Sequence, residues 1–303
     1  MKHYDIIGDI HGYADKLHEL LEKLGYSKIR GIFQHPTRKV IFIGDWIDRG
    51  PQIIETLATV RAMIDDGQAL AVLGNHEYNA LGFHYENPLG GHLRKHKIIN
   101  ILQHVETLRQ FQDHATQWED YLNWFLTIPI YLDLEGIRIV HACWDDRNIH
   151  FLSEKLSNGC LNPDIIHAAT PKGTMLWQSI EETLKGKECK LPNGLSFRDS
   201  DGNLRTESRV KWWAKSKTYG EYFFDSPNSI ANQPIDRKNY PNSITLMKDT
   251  KPIFFGHYWL KGTPQIQNTK AVCVDFSVAK GSFLTAYQWS GESELTNEHL
   301  IWV

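Results

Sequence analysis

Lys39-Val40-Ile41-Phe42-Ile43-Gly44-Asp45-Trp46-Ile47-Asp48-Arg49-Gly50 is an apolar run that stops at a glycine and turns at once into aspartates and an arginine. Short apolar runs rich in β-branched residues and bounded by turn formers read as buried strands. The polar residues that follow then lie at the carboxyl end of the strand, where α/β sheets gather their ligands. The same design recurs on both sides. Residues 4–8 run into Asp9-Ile10-His11-Gly12, and residues 69–74 into Asn75-His76-Glu77. Residues 137–141 end on His141-Ala142, and 252–256 run into His257. Between the first three runs lie two helical stretches. Residues 14–24 carry Leu17, Leu20, Leu21 and Leu24 at helical spacing, and 53–65 follow Pro51, near the first turn. Strand, helix and strand in alternation predict parallel βαβ pairing and an α/β fold.

The remaining chain has a different texture. Residues 87–125 read as polar helix, and His92, His96, His104 and His114 within it are expected on the helix surface. Residues 130–134 and 137–141 read as a hairpin around Glu135-Gly136. From 145 to 250 strand signals thin out, turn formers cluster, and aromatics concentrate at Trp177, Phe197, Trp212, Trp213, Tyr219, Tyr222, Phe223 and Phe224. This segment reads as an insertion or cap within a single domain spanning residues 1–303. Its aromatics are expected mainly in core packing, with base stacking on a nucleotide as the sharper alternative. Strand signals return at 252–256, 271–276 and 282–289, which predicts an antiparallel second sheet.

Composition narrows the function classes. With Lys+Arg 33 against Asp+Glu 36, the formal net charge is −3, so no global basic field exists to drive non-specific nucleic-acid binding. The opening residues lack the apolar stretch of a secretory signal, and no window reaches the length of a membrane span. A cytoplasmic protein is expected. Cys143, Cys160, Cys189 and Cys273 show no CxxC spacing and are expected as reduced thiols.

The strand-end groups carry the chemistry. Asp, Asn and His together offer hard oxygen and borderline nitrogen, a mixture that suits Mn, Fe or Zn better than calcium. Their number exceeds the needs of one ion and fits two divalent metals sharing a carboxylate, which activate a water and clamp a phosphoryl oxygen. A lone Asp-x-His would be an ordinary capped turn. Buried together without ions, five such clusters would leave costly unpaired groups.

The blocks GDxHG at 8–12, GDxxDRG at 44–50 and GNHE at 74–77, in this order, resemble the phosphoprotein-phosphatase superfamily of calcineurin-like metallophosphoesterases. That group includes Ser/Thr protein phosphatases, bacterial dinucleoside tetraphosphatases and the phosphatase modules of bacterial polynucleotide kinase-phosphatases. The resemblance covers residues 4–80, 137–142 and 252–289, and matches 145–250 less well. Asp48 departs from the symmetrical diadenosine tetraphosphatases and brings the chain nearer the protein-phosphatase and kinase-linked branches. The resemblance implies a calcineurin-like two-sheet β-sandwich flanked by helices in four layers, with the aromatic-rich cap inserted. It also implies roles. Asp9 and His11 would bind one metal, Asp45 would bridge, and Asn75, His141 and His257 would complete the second. His76 would be the general acid, held by Asp48, and Arg49 would grip the phosphate. Glu77 has no ligand role in this picture. A second phosphate arginine is expected between His141 and His257; of Arg147, Arg205 and Arg209, Arg209 is preferred because it leads into Lys211-Trp212-Trp213.

The leading functional expectation is hydrolysis of a phosphomonoester or phosphoanhydride of a small molecule or nucleotide, with Mn²⁺ as the first-choice metal. A Ser/Thr protein phosphatase acting on a phosphoprotein comes next, then a phosphodiesterase on 2′,3′-cyclic or nucleic-acid ends. A non-catalytic phospho-binding protein comes last, because no expected ligand is missing.

Overall fold

The computed structural model describes residues 3–198, 202–240 and 250–303. In chain order the first part runs β1 (His3–Ile7), α1 (Ala14–Lys23), a hairpin of β2 (Ser27–Ile29) and β3 (Ile32–Gln34), β4 (Arg38–Phe42), α2 (Ile53–Asp65), β5 (Ala69–Ala71) and α3 (Asn75–His84). Two more helices, α4 (Ile98–Gln110) and α5 (Ala115–Phe125), precede a second hairpin of β6 (Tyr131–Asp133) and β7 (Arg138–Val140). The next stretch of chain contains α6 (Asp146–Lys155), α7 (Pro163–Ala168), α8 (Met175–Lys185), and short strands β8 (Glu188–Lys190), β9 (Phe197–Arg198), β10 (Leu204–Arg205) and β11 (Glu207–Arg209). It ends with the one-turn helices α9 (Tyr219–Tyr222) and α10 (Asn228–Ala231). The chain closes with β12 (Ile253–Phe255), β13 (Ala271–Cys273), β14 (Asp275–Phe276), β15 (Phe283–Trp289) and β16 (Leu300–Trp302).

One sheet has the order β14-β15-β1-β4-β5, with β16 beside β15; the other has the order β13-β12-β7-β6. As the βαβ pattern predicts, β1 and β4 pair in parallel, as do β4 and β5. The period-2 alternation of strand side chains builds the layers. Ile6 and Ile41 of the first sheet meet Ile139 and Phe254 of the second in one buried cluster, the middle of the sandwich. Their neighbours Ile7 and Phe42 point the other way, into a core with Leu17, Leu20, Leu57 and Val60 of α1 and α2. On the far face of the second sheet, Val140 and Phe255 pack against Trp212, Trp213 and Tyr258. Helices α1 and α2 therefore cover one sheet, and the aromatic segment around Trp212 covers the other.

Three expectations need correction. The second sheet is not antiparallel: β12 runs parallel to both β7 and β13, because each connection crosses over rather than turning back. The 282–289 run belongs instead to the first sheet, where β15 pairs antiparallel with β1. Helix is absent from residues 87–97, whose Pro88, Gly90 and Gly91 favour loop. His104 is not on the surface: it is 4% exposed. The aromatics divide as expected in the main, with Trp212, Trp213, Tyr219, Tyr222 and Phe223 buried. No helix among the described residues is long and apolar enough to cross a membrane.

Candidate active site

The five strand-end blocks converge at one edge of the sandwich. Their backbones are unusual: His11, Asp45, Asp48, Arg49 and His257 have φ of 50°, 52°, 68°, 70° and 71°. Non-glycine residues rarely adopt this left-handed region, and they do so where surrounding contacts over-determine the conformation. Glu77 supplies many of those contacts. Its carboxylate accepts from the N–H groups of Asp45 (2.9 Å), Trp46 (2.8 Å) and Gly74 (3.1 Å). One side chain thus caps its own helix and clamps the Asp45 loop. Two glycines are demanded by close approach. A Cβ on Gly74 would lie 2.2 Å from Asp45 Oδ1, and one on Gly256 2.1 Å from Asp9 Oδ1.

The imidazoles fall into two kinds. His11 Nδ1–H donates to the Ile47 carbonyl (2.9 Å), and His141 Nδ1–H to the Ile43 carbonyl (2.7 Å). A carbonyl partner for Nδ1 orients each ring and turns its Nε2 toward the site, the arrangement metal-ligating histidines use. Those Nε2 atoms point to Asp45, at 3.6 Å for His11 and 3.4 Å for His141. His141 Nε2 also lies 3.0 Å from Asn75 Oδ1. His76 differs, because its Nδ1 bonds a carboxylate, Asp48 Oδ2, at 2.5 Å. Its backbone N–H donates to Asp45 Oδ1 (2.9 Å), and its Nε2 sits 3.9 Å from Asp45 Oδ2.

Asp48 has further partners that the sequence did not signal. His104 Nδ1–H (2.7 Å) and the Thr107 hydroxyl (2.6 Å), both from α4, donate to its other oxygen. His104 Nε2 then faces His84 Nε2 at 3.3 Å, and the Trp118 indole N–H donates to that same His84 nitrogen (3.0 Å). Burial would raise the Asp48 carboxyl, but the hydrogen bonds from His104 and His76 outweigh it and hold Asp48 far below the usual carboxylate range. Burial lowers an imidazole, yet Asp45 and Asp48 leave His76 above its ordinary value. An imidazole raised in this way, with its Nδ1 on a buried carboxylate, has the character of a proton donor.

The residues present fit metal ions. Asp9 Oδ1, His11 Nε2, Asp45 Oδ2 and His257 Nδ1 are buried and make no hydrogen bond. Orphaned polar atoms of this kind are costly, and a cation would satisfy all four. Ligand atoms of Asp45, His141 and His257 lie within 4.8 Å of one another, as do those of His11, Asp45 and His76. Asp9 stands beside them, its Oδ2 accepting the His257 N–H at 3.1 Å. Charge points the same way. Burial, with Asp275 and Asp45 nearby, raises Asp9 well above its usual range. Burial, then Asp45, pushes Glu77 up to about 7. Burial lowers His11 to about 3 and pulls His257 well below its ordinary value, so both offer neutral nitrogen. Asp275, another residue outside the expected set, is 2% exposed and accepts from the N–H groups of Trp259 (2.7 Å) and Ser277 (2.9 Å).

A cavity of about 340 Å³ opens above these groups, with Asp45, Asn75, His76 and His257 in its wall. Arg49 faces it, stacked over Trp259 at 4.5 Å from the ring centroid. Arg209 faces it from β11, its Nη1 donating to the His257 carbonyl (3.2 Å) and its guanidinium lying 5.7 Å from Phe224. Arg205 also lines the cavity; Arg147 does not.

Two sheets with buried Asp, Asn and His side chains that could hold metal ions at their shared edge, under an arginine-lined cavity, fit a metal-dependent phosphoesterase. Residues 3–175 match the calcineurin-like phosphoesterases, and the chain belongs to that family. It is similar to the asymmetrical bis(5'-nucleosyl)-tetraphosphatase PrpE of Halalkalibacterium halodurans, 31% identical over 196 residues, which is 60% of this chain and 74% of that protein. The protein of the same name from Geobacillus thermodenitrificans is 33% identical over 57% of this chain and 70% of its own length. Among solved structures, a Saccharomyces cerevisiae protein serine/threonine phosphatase superposes with a TM-score of 0.50 at 12% identity, covering 100% of this chain and 79% of that one. At that identity the likeness shows the fold alone.

Proposed function

We propose that the protein hydrolyses a phosphoanhydride of a nucleotide, with a dinucleoside polyphosphate as the leading substrate class. The observation that carries this reading is the set of orphaned polar atoms beside the hydrogen-bonded Asp48–His76 pair, under a cavity faced by Arg49 and Arg209. The kinship with tetraphosphatases supports the substrate class.

Asp9 and His11 would hold one divalent ion and Asn75, His141 and His257 a second, with Asp45 shared. When bound, two such ions supply an activated water and neutralise charge on the phosphoryl oxygens. The chain's own residues do the rest. Arg49 and Arg209 hold the phosphoryl oxygens through planar guanidinium forks. His76 Nε2 gives its proton to the departing oxygen, and Asp48 orients the ring and favours its charged form. His104 and Thr107 keep Asp48 ionised and fixed. Glu77 holds the Asp45 loop in its left-handed turn.

The metal in this reading is Mn²⁺, because three imidazoles suit it better than Mg²⁺, with Fe and Zn as alternatives. A cytoplasmic setting belongs to the same reading, supported by four cysteines that form no disulfide. The test is chelation and dialysis, then Mn²⁺, Mg²⁺ or Zn²⁺ added back, with bis(5'-adenosyl) tetraphosphate, sugar phosphates and a phosphopeptide as substrates. Activity should vanish on chelation and return best with Mn²⁺ on the tetraphosphate. A preference for the phosphopeptide would favour a protein phosphatase, and full activity in excess chelator would sink the metal reading.

A further inference from the structure

Arg94 lies outside every strand-end block, in the loop between α3 and α4, yet it lines the cavity beside Asn75 and His76. Its position is set by backbone. The Arg94 N–H donates to the Gly82 carbonyl (2.7 Å) and the Leu93 N–H to the Tyr85 carbonyl (3.0 Å). The loop is thereby laced to the helix that begins with Asn75-His76. The side chain is held equally firmly. Its Nη2 donates to Asn100 Oδ1 (3.0 Å) and Gln103 Oε1 (2.6 Å). Both acceptors are neutral amides, so they aim the guanidinium without cancelling its charge.

That charge is costly where it stands. Burial lowers the Arg94 pKa from its ordinary value, with Asp48 and Glu181 only partly opposing the shift. No carboxylate among the described residues forms an ion pair with it. An aimed, half-buried guanidinium facing a cavity is well suited to an incoming anion, which can accept from the N–H groups not donated to Asn100 and Gln103. The place matters as much as the charge. Arg94, Asn79 and Gln103 share a narrow crevice with Asp48, His76 and His104 as well as lining the main cavity. This cation therefore adjoins the pair that protonates the departing oxygen.

We infer that Arg94, with Asn79 and Gln103, forms a subsite for a phosphate of the leaving fragment. The bond cleaved is then a phosphoanhydride whose leaving group is itself phosphorylated. Water oxygen bonds to phosphorus, and the bridging P–O bond breaks with its electron pair on the leaving phosphate. That oxygen takes the His76 proton, and a proton from the water restores His76. The inference rests on the proposed role of His76 and deepens the proposed function by naming what sits on the leaving side.

The test compares kcat/KM for bis(5'-adenosyl) tetraphosphate and p-nitrophenyl phosphate in the Mn²⁺-loaded wild type, Arg94→Gln and Arg94→Lys. Arg94→Gln should cost about 10- to 100-fold on the tetraphosphate, the scale of one charge-assisted contact, and less than about threefold on the aryl phosphate. Arg94→Lys keeps the charge and should show the same split at smaller size, which serves if the glutamine variant does not fold. Equal losses on both substrates overturn the subsite while leaving the phosphoesterase reading intact. So does a wild type that cleaves the aryl phosphate but not the tetraphosphate. A wild type inert toward both overturns the phosphoesterase reading and the subsite with it.

Discussion

The strand-end loops and the segment around Arg209 face the same cavity but are built to different tolerances. In the loops, left-handed backbone at His11, Asp45, Asp48 and Arg49 is locked by Glu77 and by glycines that admit no Cβ. The segment around Arg209 has a small core of its own, Leu191, Val210, Tyr219, Tyr222, Phe223 and Ile230, and reaches the site with side chains. Arg209 reaches the strand-end loops through a hydrogen bond to the His257 carbonyl. The contrast follows from the chemistry each side serves. Ligands must converge within a few tenths of an ångström, which only rigid backbone secures, whereas a long arginine can adapt to a phosphate it meets.

The sharpest way to break this comparison is Asp45→Asn. It removes a charge that both ligand clusters share, so kcat/KM should fall by at least about 10³ with loss of bound metal, on every substrate. Metal analysis beside turnover checks it; retention of two metal equivalents would show that Asp45 is not shared.

His76→Asn comes next. Both metals should stay, and turnover on alkyl phosphates should drop by roughly 10²–10⁴, the worth of a positioned general acid. The loss should shrink for p-nitrophenyl phosphate, whose leaving group needs little protonation. Loss of a metal equivalent would move His76 into the ligand cluster with His11 and Asp45.

His104→Asn probes a helix that is neither strand-end loop nor part of the segment around Arg209. It removes one of the donors that keep Asp48 ionised, so a decrease of about 10-fold is expected, near the lower end for a residue acting through another. Like His76→Asn, it should weigh more on poor leaving groups. An equal effect on both leaving groups would make His104 structural only.

Arg209→Lys should have the smallest effect, about 3- to 10-fold, seen mainly in KM, because one charge-assisted contact survives in altered form. A loss as large as that of Asp45→Asn would erase the distinction between the rigid loops and the adaptable segment around Arg209.

How much was legible in advance follows the same divide. The parallel pairing of β1, β4 and β5 was readable because apolar runs and helical periods alternate locally along the chain. The direction of the second sheet is not legible because β12 pairs with β7, and nothing within 252–256 encodes the direction of a partner more than a hundred residues away. His104 was misassigned for a related reason. Helix α4 exposes Ile98 (78%) and Leu102 (62%) while burying His104 (4%), against the usual rule that apolar residues face inward. Only Asp48, arriving from another loop, makes the buried imidazole reasonable.

The sequence by itself determined the class of chemistry, because metal ligands are particular residue types placed just after strands, and both features are local. It also determined the tight turns, since glycines at 44, 74 and 256 stand where the backbone closes on a carboxylate or a neighbouring loop. Only the tertiary structure decided which imidazole meets a carbonyl and which meets a carboxylate. It alone set Asp48 between His76 and His104, and brought Arg94 and Arg209 to the same cavity. Those pairings depend on distances between segments far apart in the chain, and such distances are fixed by packing of the whole molecule rather than by any local pattern.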